Sequence, residues 1–151
     1  MTPRQIIDAL DAEEILGLTL VGEARGEPIE GIIACGCVIR NRLQSHQGKY
    51  KSYREVCLEP FQFSCWNVSD SNYEFLVALG QKLLDGVNPT DIYIRQCFWV
   101  AHGIKDWAIV DNTGGRLYYT TTKTFNEKRP KWASNPKGTL IEYGHHTYFN
   151  V

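Results

Sequence analysis

Gly22-Glu23-Ala24-Arg25-Gly26-Glu27-Pro28 is the stretch that decides the fold of this chain, because an apolar helical run precedes it and a second one follows it. Its glycines and its proline interrupt the helical pattern and predict a corner between two helices. Glu23 and Glu27 stand four residues apart on this corner. A glutamic acid held at the mouth of a cleft is a group that can protonate the leaving oxygen when a glycosidic bond is cut.

The two helices beside the corner are predicted from their apolar spacing. Asp11 is suited to cap a first helix that runs to about Gly22 and is apolar almost all round, which is typical of a buried helix. Pro28 favours the first turn of a second helix over about 28–43. Gly36 within that helix would let another helix approach closely.

The rest of the chain changes from helical to β-prone patterns. Helical spacing and capping residues, among them Ser69 or Asp70, predict further helices at about 4–10, 52–58, 70–85 and 91–104. After about residue 105, β-prone segments occur at 117–122, 139–141 and 146–149, with a loop at 126–138. The sequence therefore predicts one α+β domain over residues 1–151, mainly α, with a small antiparallel β part late in the chain.

Composition excludes several classes of protein. The 151 residues carry a net charge of -1, which argues against nucleic acid as a partner. No apolar run approaches 18 residues, so stable membrane insertion is not expected. Residues 1–14 contain no apolar signal segment, and we expect synthesis in the cytoplasm without a signal peptide. The five cysteines form no CxxC pair, which predicts buried free thiols rather than a disulfide framework or a zinc site.

Three blocks, in order, resemble the cell wall hydrolases of the SleB family, named for a spore cortex-lytic enzyme. The first is Gly-Glu-Ala-Arg-Gly-Glu at 22–27, with the helix that ends Val-Ile-Arg-Asn-Arg at 38–42. The second is Phe-Gln-Phe-Ser-Cys-Trp at 61–66. The third is Asp-Asn-Thr-Gly-Gly-Arg-Leu-Tyr-Tyr at 111–119, closed by Gly-His-His-Thr-Tyr-Phe at 144–149. Together the blocks span most of residues 13–150.

The resemblance implies a lysozyme-like or lytic-transglycosylase-like domain that cleaves peptidoglycan glycan strands. The family's catalytic glutamate corresponds to Glu23. The other residues expected to bind substrate are Glu27, Phe63, Ser64, Trp66, Gly115, Tyr118, Tyr119, His146 and Tyr148. We expect no cofactor and no metal, a monomer, and action on the cell wall. The role implied is that of a phage endolysin, released by a separate membrane-permeabilising protein.

Several positions depart from the family pattern. Proline is expected where Asn112 stands, a small residue at Arg116, and Asn-Pro in place of Thr120-Thr121. Arg116 either recognises an acidic group of the substrate or covers the turn before it. These differences concern fine specificity and leave the assignment of Glu23 unchanged.

The chemistry expected of Glu23 depends on its surroundings. An apolar pocket would raise its pKa enough to keep it protonated, whereas Arg25 would lower that pKa if it pointed at the carboxyl. We therefore predict that Arg25 turns away, towards Glu27 or Glu30. A hydrolase needs a second carboxylate and a lytic transglycosylase needs none. Glu27 is better suited to support the loop or a sugar subsite, and Asp111 to form a turn, which favours the transglycosylase route over hydrolysis.

The aromatic and histidine positions leave alternatives open. Phe63, Ser64 and Trp66 either line the groove or form a small aromatic core beneath a loop. Tyr118 and Tyr119 alternate on a strand, so one should face the core and the other the groove. His146 is expected more often as a structural hydrogen-bonding residue than as a catalyst. His46 and His102 are predicted to lie on the surface.

Two other functions compete with glycan cleavage. A zinc amidase acting on the stem peptide would use His102, His145 and His146, but adjacent strand histidines point to opposite faces and cannot easily share a metal. A non-catalytic glycan-binding module would use the aromatic residues and leave the corner glutamates without a role.

Overall fold

The computed structural model of the chain describes residues 1–45 and 48–151; the predicted surface position of His46 lies outside this range. The described residues form the α-helices α1 Pro3–Ala9, α2 Ala12–Ala24, α3 Ile29–Ser45, α4 Tyr53–Leu58, α5 Tyr73–Leu84, α6 Ile92–Lys105 and α7 Thr122–Glu127. Short 3₁₀ helices lie at Ser64–Trp66 and Lys131–Ala133, and the strands are β1 Tyr118–Thr121, β2 Lys137–Tyr143 and β3 His146–Asn150. The predicted mainly helical α+β fold is confirmed. None of the described helices is long and apolar enough to cross a membrane.

Helix α2 is the centre of the molecule. Asp11 caps it in a reciprocal capping box with Glu14, as the sequence predicts for Asp11. The helix packs against α3, α4, α5 and α6, and every residue from Ile15 to Val21 is buried. Helix α3 also packs on α6, where a Cβ added to Gly36 would lie 2.8 Å from Ile104, so the predicted close approach is confirmed.

The three strands form an antiparallel sheet in the order β1-β3-β2. Successive residues of the central strand β3 enter two different cores. Tyr148 faces the main helical core, where its hydroxyl donates to the carbonyl of Gly31 on α3 at 3.2 Å. Phe149 faces a second, smaller cluster with Phe125 and Ala133. The sheet is therefore fixed to the beginning of α3, directly after the corner at 22–28.

Some local predictions need correction. Helix α7 falls partly in the predicted loop; the Thr121 side chain caps it by accepting from the Thr124 amide. The α5 N-cap is Asn72, not Ser69 or Asp70, although Asp70 accepts a hydrogen bond from the Asn72 amide at 2.8 Å. The cysteines are free and buried, as predicted; they are Cys35, Cys37, Cys57, Cys65 and Cys97.

Candidate active site

Glu23 lies in the last turn of α2, half-buried between the helical part and the sheet. Its neighbour Gly22 permits this position, because a Cβ there would lie 2.6 Å from the Cβ of Cys65. The 3₁₀ helix that carries Cys65 therefore packs directly against the end of α2. On the sheet side, the Tyr119 hydroxyl donates a hydrogen bond to Glu23 Oε1 at 3.1 Å.

The surroundings of Glu23 favour its protonated form. Burial is the largest influence and raises the pKa of this carboxyl above its usual value. The nearby Asp70 carboxylate raises the pKa further, whereas the hydrogen bonds from Tyr119 and Cys65 and the charge of Arg42 lower it. The net shift is upward, which is the direction a general acid needs near neutral pH.

Arg25 turns away from Glu23, as predicted, but not towards Glu27 or Glu30. Its guanidinium donates to the Val21 carbonyl at 3.2 Å and to Asn72 Oδ1 at 3.0 Å. The same group lies 4.5 Å from the centre of the Phe75 ring. The Arg25 guanidinium is thus held against the start of α5. It is not among the main influences on the pKa of Glu23.

Glu27 has different surroundings from Glu23. Its side chain is 9% exposed, and its carboxylate accepts a hydrogen bond from the His145 amide at 3.2 Å. The His145 ring Nδ1 lies 3.1 Å from Oε2, and His146 Nδ1 lies 3.3 Å from Oε1 without the direction of a hydrogen bond. A Cβ on Gly144, which has a φ of 55°, would overlap Glu27 Oε2. Glu27 therefore joins the corner to the turn between β2 and β3.

His146 lies between the two glutamates. It is buried, and burial is the main reason its pKa lies below the usual value, so it is neutral at neutral pH. Its ring meets the Tyr119 ring edge-on, with centroids 5.1 Å apart. Glu27, His146, Tyr119 and Glu23 thus form a continuous row of contacts. His146 has a packing position in this row, but within the described residues its buried Nδ1 makes no hydrogen bond, which differs from the hydrogen-bonding role expected of it.

Asp111 organises a loop. Its carboxylate accepts from the Thr113 amide at 2.7 Å, the Gly115 amide at 2.9 Å and Asn41 Nδ2 at 3.0 Å. Although burial raises the pKa of Asp111, these donors together hold it below its usual value. The carboxylate is fully engaged, which agrees with the predicted turn.

Two residues expected to bind substrate lie in the core instead, which for Phe63 is the other of the two predicted alternatives. Phe63 is 2% exposed and Tyr148 is fully buried, so neither can offer its ring to a substrate in this conformation. Alternating side-chain directions on β3 bury Tyr148, and Phe63 is covered as the chain enters the 3₁₀ helix. Ser64 is exposed, and Trp66 is half-buried with its Nε1 donating to Thr19 Oγ1 at 2.9 Å.

The two tyrosines of β1 face opposite ways, as predicted. Tyr119 faces Glu23, while Tyr118 packs against Phe149 and Trp132 in the second cluster. Gly115 is exposed, with a φ of 81° in the Asp111 loop. Arg116 donates to the carbonyls of Gly114 and Thr139, so it covers the turn.

The histidines of the zinc alternative do not come together. His102 is exposed and lies beside Glu13 and Asp106, 3.1 Å and 3.0 Å away. Glu13 is ten residues before Glu23 on the same helix, a rise of roughly 15 Å. His145 and His146 do approach the same carboxylate, contrary to the expectation that they point to opposite faces, because His145 lies in a turn rather than on the strand. Within residues 1–45 and 48–151, no group of three or more His, Cys, Asp or Glu side chains could hold a metal ion.

Three residues that influence Glu23 did not stand out in the sequence: Cys65, Asp70 and Arg42. Cys65 and Arg42 lie within the blocks that carry the family resemblance, which is the one signal that pointed to them. Asp70 lies outside these blocks, in the turn before α5, and its proximity to Glu23 arises from tertiary packing alone.

Comparison with known proteins identifies the family of this chain. The family model described as Cell Wall Hydrolase matches residues 26–149; the match includes Glu27 and begins just after Glu23. Among proteins with curated functions, none matches the chain.

Two solved structures have the same fold. The catalytic domain of the Bacillus cereus SleB protein is 22% identical, with a TM-score of 0.57, and the alignment covers 92% of this chain and 89% of that one. The catalytic domain of the germination-specific lytic transglycosylase SleB from Bacillus anthracis is 21% identical, with a TM-score of 0.55 and coverage of 95% and 98%. The chain belongs to the Cell Wall Hydrolase family and has the fold of the SleB catalytic domains.

Proposed function

We propose that this protein is a lytic transglycosylase that cleaves the β-1,4 bond between N-acetylmuramic acid and N-acetylglucosamine in peptidoglycan, with Glu23 as general acid and base. The observation that carries the proposal is the half-buried Glu23 at the end of α2, with a raised pKa and a hydrogen bond from Tyr119. Membership of the Cell Wall Hydrolase family and the fold shared with a germination-specific lytic transglycosylase support peptidoglycan as the substrate.

The reaction divides into two proton transfers. Protonated Glu23 gives its proton to the glycosidic oxygen as the bond from that oxygen to C1 of the muramic acid breaks. The resulting carboxylate then takes the proton from the 6-hydroxyl of the same sugar, whose oxygen bonds to C1 and closes a 1,6-anhydro ring. Tyr119 donates to the carboxylate throughout its ionised stage. Atoms balance without water, and Glu23 ends protonated as it began.

The surroundings of the other two candidate carboxylates favour this route. Glu27 is taken up by the turn at His145, and Asp111 by the loop amides, so neither is available as a nucleophile or as a base for water. A transglycosylase needs one carboxylate in the site, which is what Glu23 supplies.

Hydrolysis is the second candidate, and Asp70 is the observation that favours it. This carboxylate is near enough to Glu23 to raise its pKa, and a retaining or inverting glycosidase requires such a second group. The Asp70 Oδ1 atom accepts the Asn72 amide, which gives it a structural task as well.

Mass analysis of digested peptidoglycan tests the proposal. Purified sacculi treated with the protein should release muropeptides with 1,6-anhydro ends, each about 18 Da lighter than its reducing-end counterpart, because no water is added during anhydro-ring formation. Reducing-end products would assign hydrolysis. Release of peptides from intact glycan strands would assign an amidase and contradict both candidates.

The site of action follows from the substrate, and we propose the cell wall. Service as a phage endolysin, monomeric action and release by a separate membrane-permeabilising protein stay predictions. Lysis of bacteria by the protein added from outside, compared with lysis after co-expression of a membrane-permeabilising protein, would test them.

A further inference from the structure

An apolar groove runs between α5 and α6 and ends at the corner that carries Glu23. Its outer part is lined by Phe75 and Leu79 of α5, by Val87 and Pro89 of the connection, and by Ile94 of α6. A second depression shares Phe75 and Ile94 and adds Arg25, Gly26 and Tyr93. The two depressions are therefore continuous, and the inner one reaches the segment that directly follows Glu23.

Several apolar side chains that line the groove are exposed. Phe75 is 41% exposed, Val87 51% and Tyr93 55%. Single exposed apolar residues are ordinary on a soluble protein, but a contiguous set that lines one depression marks a binding surface. Two of the three are aromatic rings, which contact sugars and peptide chains equally well.

Arg25 gives the inner end of the groove a fixed positive charge. Its guanidinium is held by the Val21 carbonyl, by Asn72 Oδ1 and by the face of the Phe75 ring. None of these partners is an acidic side chain, and within residues 1–45 and 48–151 Arg25 forms no salt bridge. A guanidinium can donate five hydrogen bonds in a planar fork, which suits a carboxylate of the ligand.

The other charges of the groove suit a peptide with both signs of charge. Asp91 lies on the α6 wall, where its Oδ1 caps the helix by accepting from the amides of Tyr93 and Ile94. Lys82 lies in the outer part. A glycan strand without its peptides carries carboxylates only on the lactyl groups of its muramic acids, close to the sugar rings, whereas the stem peptide carries carboxylates farther from the rings.

We propose that this groove binds the acidic stem peptide of the muramic acid beside the bond that is cleaved, with Arg25 paired to a peptide carboxylate. The inference rests on the proposed function, because it assumes that Glu23 acts on peptidoglycan. Arg25 follows Glu23 by two residues and points away from it. Sugar rings thus occupy the side of α2 that faces Tyr119, and the peptide lies on the side that faces α5.

The test compares two substrates that differ only in the peptide. Uncrosslinked glycan strands with stem peptides, and the same strands stripped by an amidase, are digested by the wild type and by Arg25→Gln. The matched control is Arg95→Gln, which removes the same charge from an exposed position of α6 outside the groove. A change in the ratio of the two kcat/KM values is the readout, since a general loss of folding would lower both.

Arg25→Gln should lower kcat/KM on peptide-bearing strands about tenfold more than on stripped strands, as expected for loss of one charged hydrogen bond. Arg95→Gln should keep the wild-type ratio. Tyr93→Ala, on the opposite wall, should lower the ratio about threefold and supplies a second variant if Arg25→Gln folds poorly. An unchanged ratio in both groove variants would overturn the proposal. Wild-type protein that cuts neither substrate would instead contradict the proposed function.

Discussion

Glu23 and Glu27 are the same residue type on the same corner, and they differ in nearly every contact. Glu23 receives one hydroxyl hydrogen bond, from Tyr119, and has a raised pKa caused mainly by burial. Glu27 is surrounded by the His145 amide and by the rings of His145 and His146. The sheet and the 3₁₀ helix leave Glu23 poorly solvated, whereas the β2–β3 turn supplies Glu27 with partners.

The two glutamates of the corner differ in task because they differ in the number of their hydrogen-bond donors. A carboxyl that must hold and release a proton needs few strong partners, because each donor to the ionised form lowers its pKa. A carboxylate that holds two parts of a fold together needs many hydrogen-bond and ion-pair partners. Glu27 contacts His146, His146 packs against Tyr119, and Tyr119 donates a hydrogen bond to Glu23. Through these contacts Glu27 helps to position the tyrosine that touches the acid.

Replacement of the acid should have the largest effect. Glu23→Gln keeps the shape of the side chain but cannot donate and retake a proton, so we expect activity on purified peptidoglycan to fall by about 10²–10⁴-fold. Zymography and release of soluble fragments measure this loss. Circular dichroism should be unchanged, and binding to peptidoglycan should persist. Wall clearing at the wild-type rate by this variant would remove Glu23 from the mechanism.

Replacement of Glu27 should mainly lower the stability of the fold. Glu27→Ala removes the acceptor of the His145 amide and the charge beside two histidines, so we expect the free energy of unfolding to fall by about 2 kcal/mol. Denaturant titration measures this change. The control is Glu30→Ala, an exposed carboxylate in the first turn of α3, which should change stability by less than about 0.5 kcal/mol.

The supporting role of Glu27 would be contradicted if Glu27→Ala kept its stability and lost activity as completely as Glu23→Gln. That result would make Glu27 a reacting group and would support hydrolysis with two corner carboxylates. Partial loss of activity together with lower stability fits the positioning role, because the β2–β3 turn also carries His146, which packs against Tyr119.

The features that depend on local sequence pattern could be predicted from the sequence. The corner, the buried α2 and the Asp111 turn follow from glycine, proline, apolar spacing and Asx chemistry. Contacts that depend on tertiary packing could not be predicted from the sequence. That His145 and Glu27 meet depends on a turn 118 residues away along the chain, and Asp70 reaches Glu23 only because α5 packs beside α2. The family resemblance implies substrate binding for Phe63 and Tyr148, but both side chains are buried, and aromatic residue type alone does not reveal which face is buried.

A third prediction concerns the stability of the acid variant. The pKa of Glu23 is raised in the folded state, so its contribution to stability is fully present below the unfolded pKa and is lost as pH rises through the folded pKa. Glutamine does not titrate and avoids this loss. Thermal unfolding should therefore show Glu23→Gln to be more stable than the wild type at pH 7, with the difference shrinking towards pH 4. A wild type that is the more stable protein at pH 7 would mean that Glu23 is not desolvated.

The smallest effect, and the one that separates the two mechanisms, is expected from Asp70→Asn. The Asp70 charge raises the pKa of Glu23, so its removal lowers that pKa, and the alkaline limb of the pH–activity profile should move to lower pH. Activity on the acidic side should persist, and the products should keep their anhydro ends. Asp85→Asn, an exposed residue at the other end of α5, is the control and should leave the limb in place. If Asp70 were instead the second carboxylate of a hydrolase, Asp70→Asn would lose activity at every pH, because no shift in proton affinity can replace a missing nucleophile or base. The pH profile of this one variant therefore decides whether Glu23 works alone.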